Sequence, residues 1–360
     1  MPCYHPLRGF PVAITDKGKP KYRIVDYDTH HAECDSCGNW TFRKDSKLSP
    51  FSCQVLYQED SVVVPCGQCI GCRLEYSRQW ANRCMLELQY HDSAYFITLT
   101  YDDLHVPTRF YGHPETGEAL PSLTLRRRDL QLFFKRLRKA HPDDRIRFYA
   151  AGEYGSNTMR PHYHAIVFGL HLSDLQPVSR SKLGYQYYSS AELQRAWSIS
   201  PTNGGNQYSS GEVIPLGFVM CGQVTWETCA YTARYVTKKL TGNASEYYNI
   251  FNIDPPFTAV SNKPGLARQY YEDHPDLFEH EYINISTPTG GRKFRPPKYF
   301  DKLFDIDQPE LSAELKETRR LMAVESTRLK MDMSSMNYLD LLAVQEQAKL
   351  DSSKKLIREL

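Results

Sequence analysis

From Ala94 to Leu240 the apolar residues switch repeatedly between two spacings, and that alternation limits the folds open to the chain. Ala94–Tyr101 (AYFITLTY) sets Tyr95, Ile97, Leu99 and Tyr101 against Phe96, Thr98 and Thr100, a period of two that predicts a strand with at least one buried face. After a Gly/Pro-containing loop around Gly112–Pro121, Leu130, Phe133, Phe134 and Leu137 fall at i, i+3, i+4 and i+7, which predicts an amphipathic helix. Arg145–Glu153 (RIRFYAAGE) and His162–Gly169 (HYHAIVFG) predict two more strands around the polar turn YGSNTMRP. A short helix near Ala191–Trp197, a strand at Gly217–Val224 and a helix from Trp226 to about Leu240 complete the run. Thr225 is placed to cap that last helix and Gly242 to end it.

The order is β-α-β-β-α-β with one further helix. Antiparallel sheets with helices on one face are built this way, so the expected fold is α+β, related to the ferredoxin-like split βαβ. Upstream, Leu74, Ala81, Cys84, Met85 and Leu88 share a face of a helix predicted from Gly71 to Tyr90. Residues 1–72 form a Cys-rich segment with little periodicity, and 73–242 form the central domain. Residues 243–309 are a Tyr/Pro-rich accessory segment packed on the core, with a hairpin expected across Thr289-Gly290-Gly291. Residues 310–360 are a charged, helical tail. No GxxxxGK[ST] phosphate-binding loop occurs, so no ATPase or helicase domain is expected.

A net charge of +2 predicts no polyanionic partner by itself, so a nucleic-acid site must come from local clustering. Ser122–Arg147 supplies it, with nine Lys/Arg against three Asp. Arg126, Arg127, Arg128, Lys135, Arg136, Arg138 and Lys139 are expected to contact a DNA backbone, the alternative being a merely solvated basic face. Exposed aromatic residues could stack the bases of a single strand. No signal peptide and no apolar stretch of roughly 20 residues is seen. The expectation is a soluble intracellular protein with no membrane partner, its cysteines reduced. Cys34-x-x-Cys37 and Cys66-x-x-Cys69-x-x-Cys72 have metal-ligand spacing, and Cys3 and Cys53 could join them. Structural Zn²⁺ and metal-free reduced thiols are the two readings. Cys84 fits its helix's apolar stripe and is expected in the core, and Cys221 and Cys229 carry no pairing signal.

His162-Tyr163-His164 lies within a strand pattern, so period two puts both imidazoles on one face, placed to bind a divalent metal. Surface or hydrogen-bonded strand histidines are the plainer reading. Glu153 ends the preceding strand and offers a third, oxygen ligand, which suits Mg²⁺ or Mn²⁺ beside a phosphate. A solvated strand-end charge is its alternative. Tyr231 and Tyr235 are four apart in YTARYVTKK, so both phenols share a helical face, with Lys238 and Lys239 nearby. Core packing would explain an isolated tyrosine pair. A phenol with its ordinary pKa near 10 needs a neighbouring cation or metal to act as a nucleophile at neutral pH.

At these residues the chain resembles a known family. PHYHAIVFG resembles the histidine–hydrophobic–histidine motif of the HUH endonucleases, and YTARYVTKK the two-tyrosine motif of that superfamily's microvirus replication initiators. FITLTYDD, PCGQCIGCR, LQLFFKRLRK and GEYG are similar to stretches of the gokushovirus-type initiators, and SNKPGLARQYY extends the likeness towards Pro297. The resemblance implies an HUH endonuclease core over 73–242, His162 and His164 as metal ligands, and Glu153 as the third by position. It implies Tyr231 and Tyr235 as alternating nucleophiles, with Lys239 and Lys238 assisting at the phosphate. The implied activity is site- and strand-specific nicking of a single-stranded DNA origin through a 5′-phosphotyrosine bond, leaving a 3′-hydroxyl, and later joining into a circle. Host helicase and DNA polymerase would be partners, in the bacterial cytoplasm. A relaxase or single-strand transposase, and a non-catalytic zinc-stabilised DNA-binding protein, are the alternatives.

Overall fold

The structure, a computed structural model, describes residues 3–16, 18–155, 158–181, 184–199, 213–235, 245–287 and 290–354. It forms two compact units, Met1–Glu75 with Thr318–Ile357, and a second built on Tyr76–Glu317. In the first, β1 (Leu7–Ile14), β2 (Pro20–Asp26), β3 (His31–Cys34), β4 (Trp40–Arg43), β5 (Gln54–Tyr57) and β6 (Val62–Val64) make two antiparallel sheets, ordered β2-β1-β6 and β4-β3-β5. Burial along these strands does not alternate: β2 has no buried residue, while β1 and β3 each bury three in a row.

The second unit takes in α1 (Ile70–Leu88) from Tyr76 onward, then β7 (Ala94–Thr100), β8 (Thr108–Gly112), β9 (Ala119–Leu123) and α2 (Arg127–Ala140). There follow β10 (Arg147–Tyr154), β11 (Pro161–Phe168), β12 (Gln176–Arg180), β13 (Gln186–Ser189), α3 (Ala191–Ala196), β14 (Ser198–Ile199), β15 (Ile214–Pro215), β16 (Val219–Gln223) and α4 (Trp226–Tyr235). After them come α5 (Glu246–Ile250), β17 (Phe257–Val260), α6 (Arg268–Asp273), β18 (Ile283–Thr287), β19 (Gly290–Phe294) and α7 (Lys298–Asp307). The C-terminal region is helical, as α8 (Pro309–Asp332) and α9 (Tyr338–Lys354).

The seven-stranded sheet is ordered β12-β13-β16-β7-β11-β10-β17, with antiparallel neighbours throughout. Numbering β7, β10, β11 and β16 one to four along the chain, the central order is 4-1-3-2. Helices cover both faces of this sheet, not the single face expected. The reason is the strand β11, which is apolar on both sides. Its Tyr163, Ala165 and Val167 pack with Leu130, Phe133 and Leu137 of α2 and with Trp197, and its Ile166 and Phe168 with Ala81, Met85 and Leu86 of α1 and with Cys229, Ala230 and Ala233 of α4. Val167, Ile166 and Phe168, each fully buried, contribute about 1.5–3 kcal/mol apiece.

Two loops read differently in three dimensions. The region around Gly112–Pro121 is mostly the β8–β9 hairpin, extended because Tyr111 packs edge-on to Phe251 with ring centroids 4.9 Å apart. In the β18–β19 hairpin Thr287 pairs with Gly290, so Gly290 and Gly291 begin a strand rather than make the turn. The Tyr/Pro-rich segment supplies β17, which pairs with β10 at the sheet's edge.

Candidate active site

Register decides what shares a face. His162 sits opposite Glu153 of β10 and Thr100 of β7, and His164 opposite Ala151 and Thr98. Period two therefore puts Glu153, His162 and His164 together on the face covered by α4. The Nε2 of His162 is 2.7 Å from Glu153 Oε1, and the Nε2 of His164 is 3.3 Å from the same oxygen. One ligand atom from each of the three lies within 4.8 Å of the others. Both imidazoles are oriented from behind. His162 Nδ1 donates to the Arg160 carbonyl at 3.1 Å, and His164 Nδ1 lies 3.1 Å from the Thr98 hydroxyl. Phe96 stacks on the His164 ring with centroids 5.5 Å apart.

This donor set fits a divalent cation. With Nδ1 donating to a carbonyl, His162 turns its Nε2 toward the carboxylate. A ring nitrogen and a carboxylate oxygen that close share a proton or a metal ion between them. Burial pushes the Glu153 carboxyl up, yet hydrogen bonds and charge from His162 and His164 outweigh it and hold the group below its ordinary value. The ligand is therefore an anion. Two imidazole nitrogens with one carboxylate oxygen make a mixed donor set that could hold a divalent cation and leave positions open for other ligands.

Helix α4 brings a tyrosine to this face. Its first turn is fixed by a reciprocal cap, the Thr228 amide donating to the Thr225 hydroxyl at 3.2 Å and the Thr225 amide to the Thr228 hydroxyl at 2.9 Å. Ser77 of α1 donates to the Ala230 carbonyl at 2.6 Å and anchors the middle of the helix. Tyr231 then packs edge-on to His164, ring centroids 5.3 Å apart, and to Phe96 at 6.2 Å. Burial first, and the Glu153 charge second, push its phenol above its ordinary value. Tyr235 ends α4, one turn on. Its side chain, with Lys238 and Lys239, lies outside the described residues.

Known proteins share this segment. The family model for replication-associated protein ORF2/G2P matches residues 94–240. The chain is also 33% identical over 302 residues to "Replication-associated protein ORF2" of Spiroplasma virus 4, covering 82% of this chain and 85% of that protein. The chain belongs to the replication-associated protein ORF2/G2P family. "Replication-associated protein VP4" of Bdellovibrio phage phiMH2K is 30% identical over 261 residues, 69% of this chain and 70% of the relative. "Replication-associated protein ORF4" of Chlamydia phage 1 is 27% identical over 208 residues, 54% and 43% of the two chains. No solved structure matches significantly. The matched window of this replication-associated protein contains Glu153, His162, His164 and Tyr231 together.

The basic helix lies away from the histidines. α2 packs on the opposite face of the sheet, so it does not flank the histidines. The spacing of charges along α2 carries no information about which face of the sheet the helix covers. Arg127 lies over the Phe257 ring at 4.3 Å, Arg136 donates to the Ala196 carbonyl and Arg138 to that of Ile146. Arg126 pairs with Asp129 at 3.7 Å, while Arg128, Lys135 and Lys139 are exposed. Three residues of the histidine-bearing face were missed. Thr98 holds His164, Met220 pairs with Thr98 across β16–β7, and Tyr187 pairs with Gly222, itself opposite Phe96. Alternation in FITLT and VMCGQ held the signal, but only the strand order shows which strands adjoin.

Among the described residues a second cluster unites Cys3 with Cys66, Cys69 and Cys72. Cys34 and Cys37 are not part of it. Cys34 instead ends β3, opposite Gln54, and its carbonyl accepts from the Cys53 amide at 2.8 Å, because the β3–β5 ladder fixes it there. Cys84 is buried in the core of the second unit, as its helical stripe predicts, and Cys221 and Cys229 are buried too. Among the described residues no helix is long and apolar enough to cross a membrane.

Proposed function

We propose that this family member is a metal-dependent DNA nicking and joining enzyme that initiates rolling-circle replication of a small circular single-stranded DNA phage genome. The observation that carries the reading is the Glu153–His162–His164 cluster lying beside Tyr231 on one sheet face. The 4-1-3-2 strand order supports an HUH core of the ferredoxin-like, split βαβ kind.

Glu153, His162 and His164 would hold Mg²⁺ or Mn²⁺, which supplies Lewis-acid polarisation of the scissile phosphate. Tyr231 attacks that phosphorus. A bond forms between its phenolic oxygen and phosphorus, the bond from phosphorus to the 3′ oxygen breaks, and the leaving oxygen takes a proton to become a 3′-hydroxyl. The phosphoester energy is kept in the 5′-phosphotyrosine bond, so no ATP is consumed. A host DNA polymerase extends the 3′-hydroxyl while a host helicase opens the duplex, in the bacterial cytoplasm. Tyr235 then cleaves the regenerated origin, and the freed 3′-hydroxyl attacks the first phosphotyrosine and closes a circle. Lys239, with Lys238, stabilises charge on the phosphate.

The test is cleavage of a single-stranded oligonucleotide carrying the cognate origin, with Mg²⁺ or Mn²⁺, read as a covalent protein–DNA adduct. Adduct formation is expected from the wild type and from each single variant, Tyr231→Phe and Tyr235→Phe, and its loss in the double variant. A double variant that still forms the adduct would remove these tyrosines from the chemistry. A wild type that forms none would leave a non-catalytic DNA-binding protein.

A further inference from the structure

We propose that Cys3, Cys66, Cys69 and Cys72 form a structural zinc site that fastens the first residues of the chain, and with them helix α9, to the start of α1. The distances favour a metal over a cross-link. Cys66 and Cys72 have sulfurs 4.0 Å apart, Cys3 and Cys69 3.9 Å, and all four sulfurs lie within 4.8 Å of one another. A disulfide needs about 2.05 Å. Sulfurs arranged tetrahedrally at about 2.3 Å from zinc are about 3.8 Å apart.

The surrounding backbone is arranged for thiolates. The Tyr4 amide donates to the Cys69 sulfur at 3.3 Å and the Cys66 amide to that of Cys3 at 3.2 Å. The amides of Gln68 and Cys69 reach the Cys66 sulfur at 3.4 and 3.3 Å, and the Cys72 amide reaches Cys69 at 3.5 Å. Amide donors aimed at sulfur favour the anion, and several such anions in one small volume require a cation among them. Four sulfurs with no carboxylate make a closed, soft set that selects zinc over the hard ions suited to Glu153 and the histidines. Nearby His5 is engaged otherwise, its Nε2 2.6 Å from Glu346 of α9.

The packing says what the site holds. Tyr4, Cys69 and Leu342 are the buried residues of this cluster, with Ile70 and Tyr338 against them. So small an apolar group contributes too little to dock a helix by itself. Cys3 is adjacent to Tyr4, and Cys69 touches the same cluster, so metal ligation fixes the surface on which Leu342 and Tyr338 rest. The four cysteines lie outside the matched window at 94–240.

The experiment uses the full chain purified with zinc available. Metal analysis is expected to give about one tightly held zinc per chain. The same content is expected in His162→Ala/His164→Ala and in Cys34→Ser/Cys37→Ser, and none in Cys69→Ser/Cys72→Ser. Hydrogen exchange across α9 should accelerate at least tenfold when zinc is stripped from the wild type with a thiol reagent, while β10 and β11 stay protected. This second readout needs no variant to fold. Absence of bound metal, iron in place of zinc, zinc retained by the Cys69→Ser/Cys72→Ser protein, or unchanged exchange in α9 would each overturn the proposal.

Discussion

Glu153 stands directly across the β10–β11 ladder from His162, and a single carboxylate oxygen reaches both His162 and His164. Removing its charge should therefore affect the metal more than the fold. Glu153→Gln keeps the volume and is expected to lower Mn²⁺ affinity by more than about 100-fold, beyond the 10–100-fold typical of residues that only orient ligands. Thr98→Val, which takes away the hydroxyl 3.1 Å from His164 Nδ1, should fall within that smaller range. Calorimetric titration with Mn²⁺ checks both. Equal affinities in wild type and Glu153→Gln would exclude Glu153 as a ligand.

Tyr163, between the two histidines, points to the other side of the sheet and should behave oppositely. Its hydroxyl bonds to the Tyr101 hydroxyl, accepts from the Arg126 amide and donates to the Arg126 carbonyl, at 2.9–3.0 Å. Tyr163→Phe leaves those buried groups unpaired and should cost about 1–3 kcal/mol of stability. Mn²⁺ affinity should stay within about twofold, because the Tyr163 hydroxyl lies on the other face of the sheet and its partners, Tyr101 and Arg126, are not those of the imidazoles. Urea unfolding alongside metal titration separates the two effects, and a metal defect without a stability defect would contradict this division of faces.

The histidine and tyrosine motifs were legible because their chemistry depends on local periodicity. Period two put His162 and His164 on one face and the i, i+4 spacing put Tyr231 and Tyr235 on one helical face, but only the fold brings Tyr231 beside His164. Glu153 was legible only as a strand end, and the antiparallel pairing made it a neighbour. What escaped were relations between segments distant in sequence. Nothing in LQLFFKRLRK reveals that α2 covers the face away from the histidines, because an amphipathic helix packs equally well on either side. β17 escaped because only four residues of a Tyr/Pro-rich stretch pair with β10. Cys3 could not be ranked above Cys34 as a ligand, since spacing within a motif carries no information on which distant cysteine joins it.

Acid should weaken the second unit through Glu87. Its carboxylate pairs with Arg147, bonds to His91 at 3.1 Å and accepts from the Ala267 amide at 2.6 Å. Burial raises the pKa of this group, but those hydrogen bonds and charges prevail and hold it below its ordinary value of 4.5. A depressed carboxylate contributes stability that is fully present above its unfolded pKa and is lost as pH falls through the folded value. Glu87→Gln should cost about 1–3 kcal/mol at neutral pH and flatten the loss of stability below about pH 4.5. Urea midpoints measured across the acid range give the answer, and parallel curves for the two proteins would show that Glu87 does not set the acid limb.

Phe218 is an exposed aromatic residue beside the end of β7, open to a base if single-stranded DNA crosses the histidine-bearing face. Gly217 makes the position possible, since a Cβ there would meet the Thr100 carbonyl at 2.2 Å. The chain thus turns tightly beside the end of β7, where Thr100 donates to the Phe218 carbonyl at 3.0 Å and lies opposite His162. Phe218 is 72% exposed and packs into no core, so its loss should change stability by no more than about 0.5 kcal/mol. If a base stacks on it, Phe218→Ala should weaken binding of a single-stranded origin oligonucleotide by about 1–3 kcal/mol, or roughly 5- to 150-fold. Lys135→Ala/Lys139→Ala, on the opposite face, should leave affinity within about twofold at physiological salt. Fluorescence anisotropy compares the three proteins directly. A large loss from the lysine pair with none from Phe218→Ala would place the DNA on the α2 face.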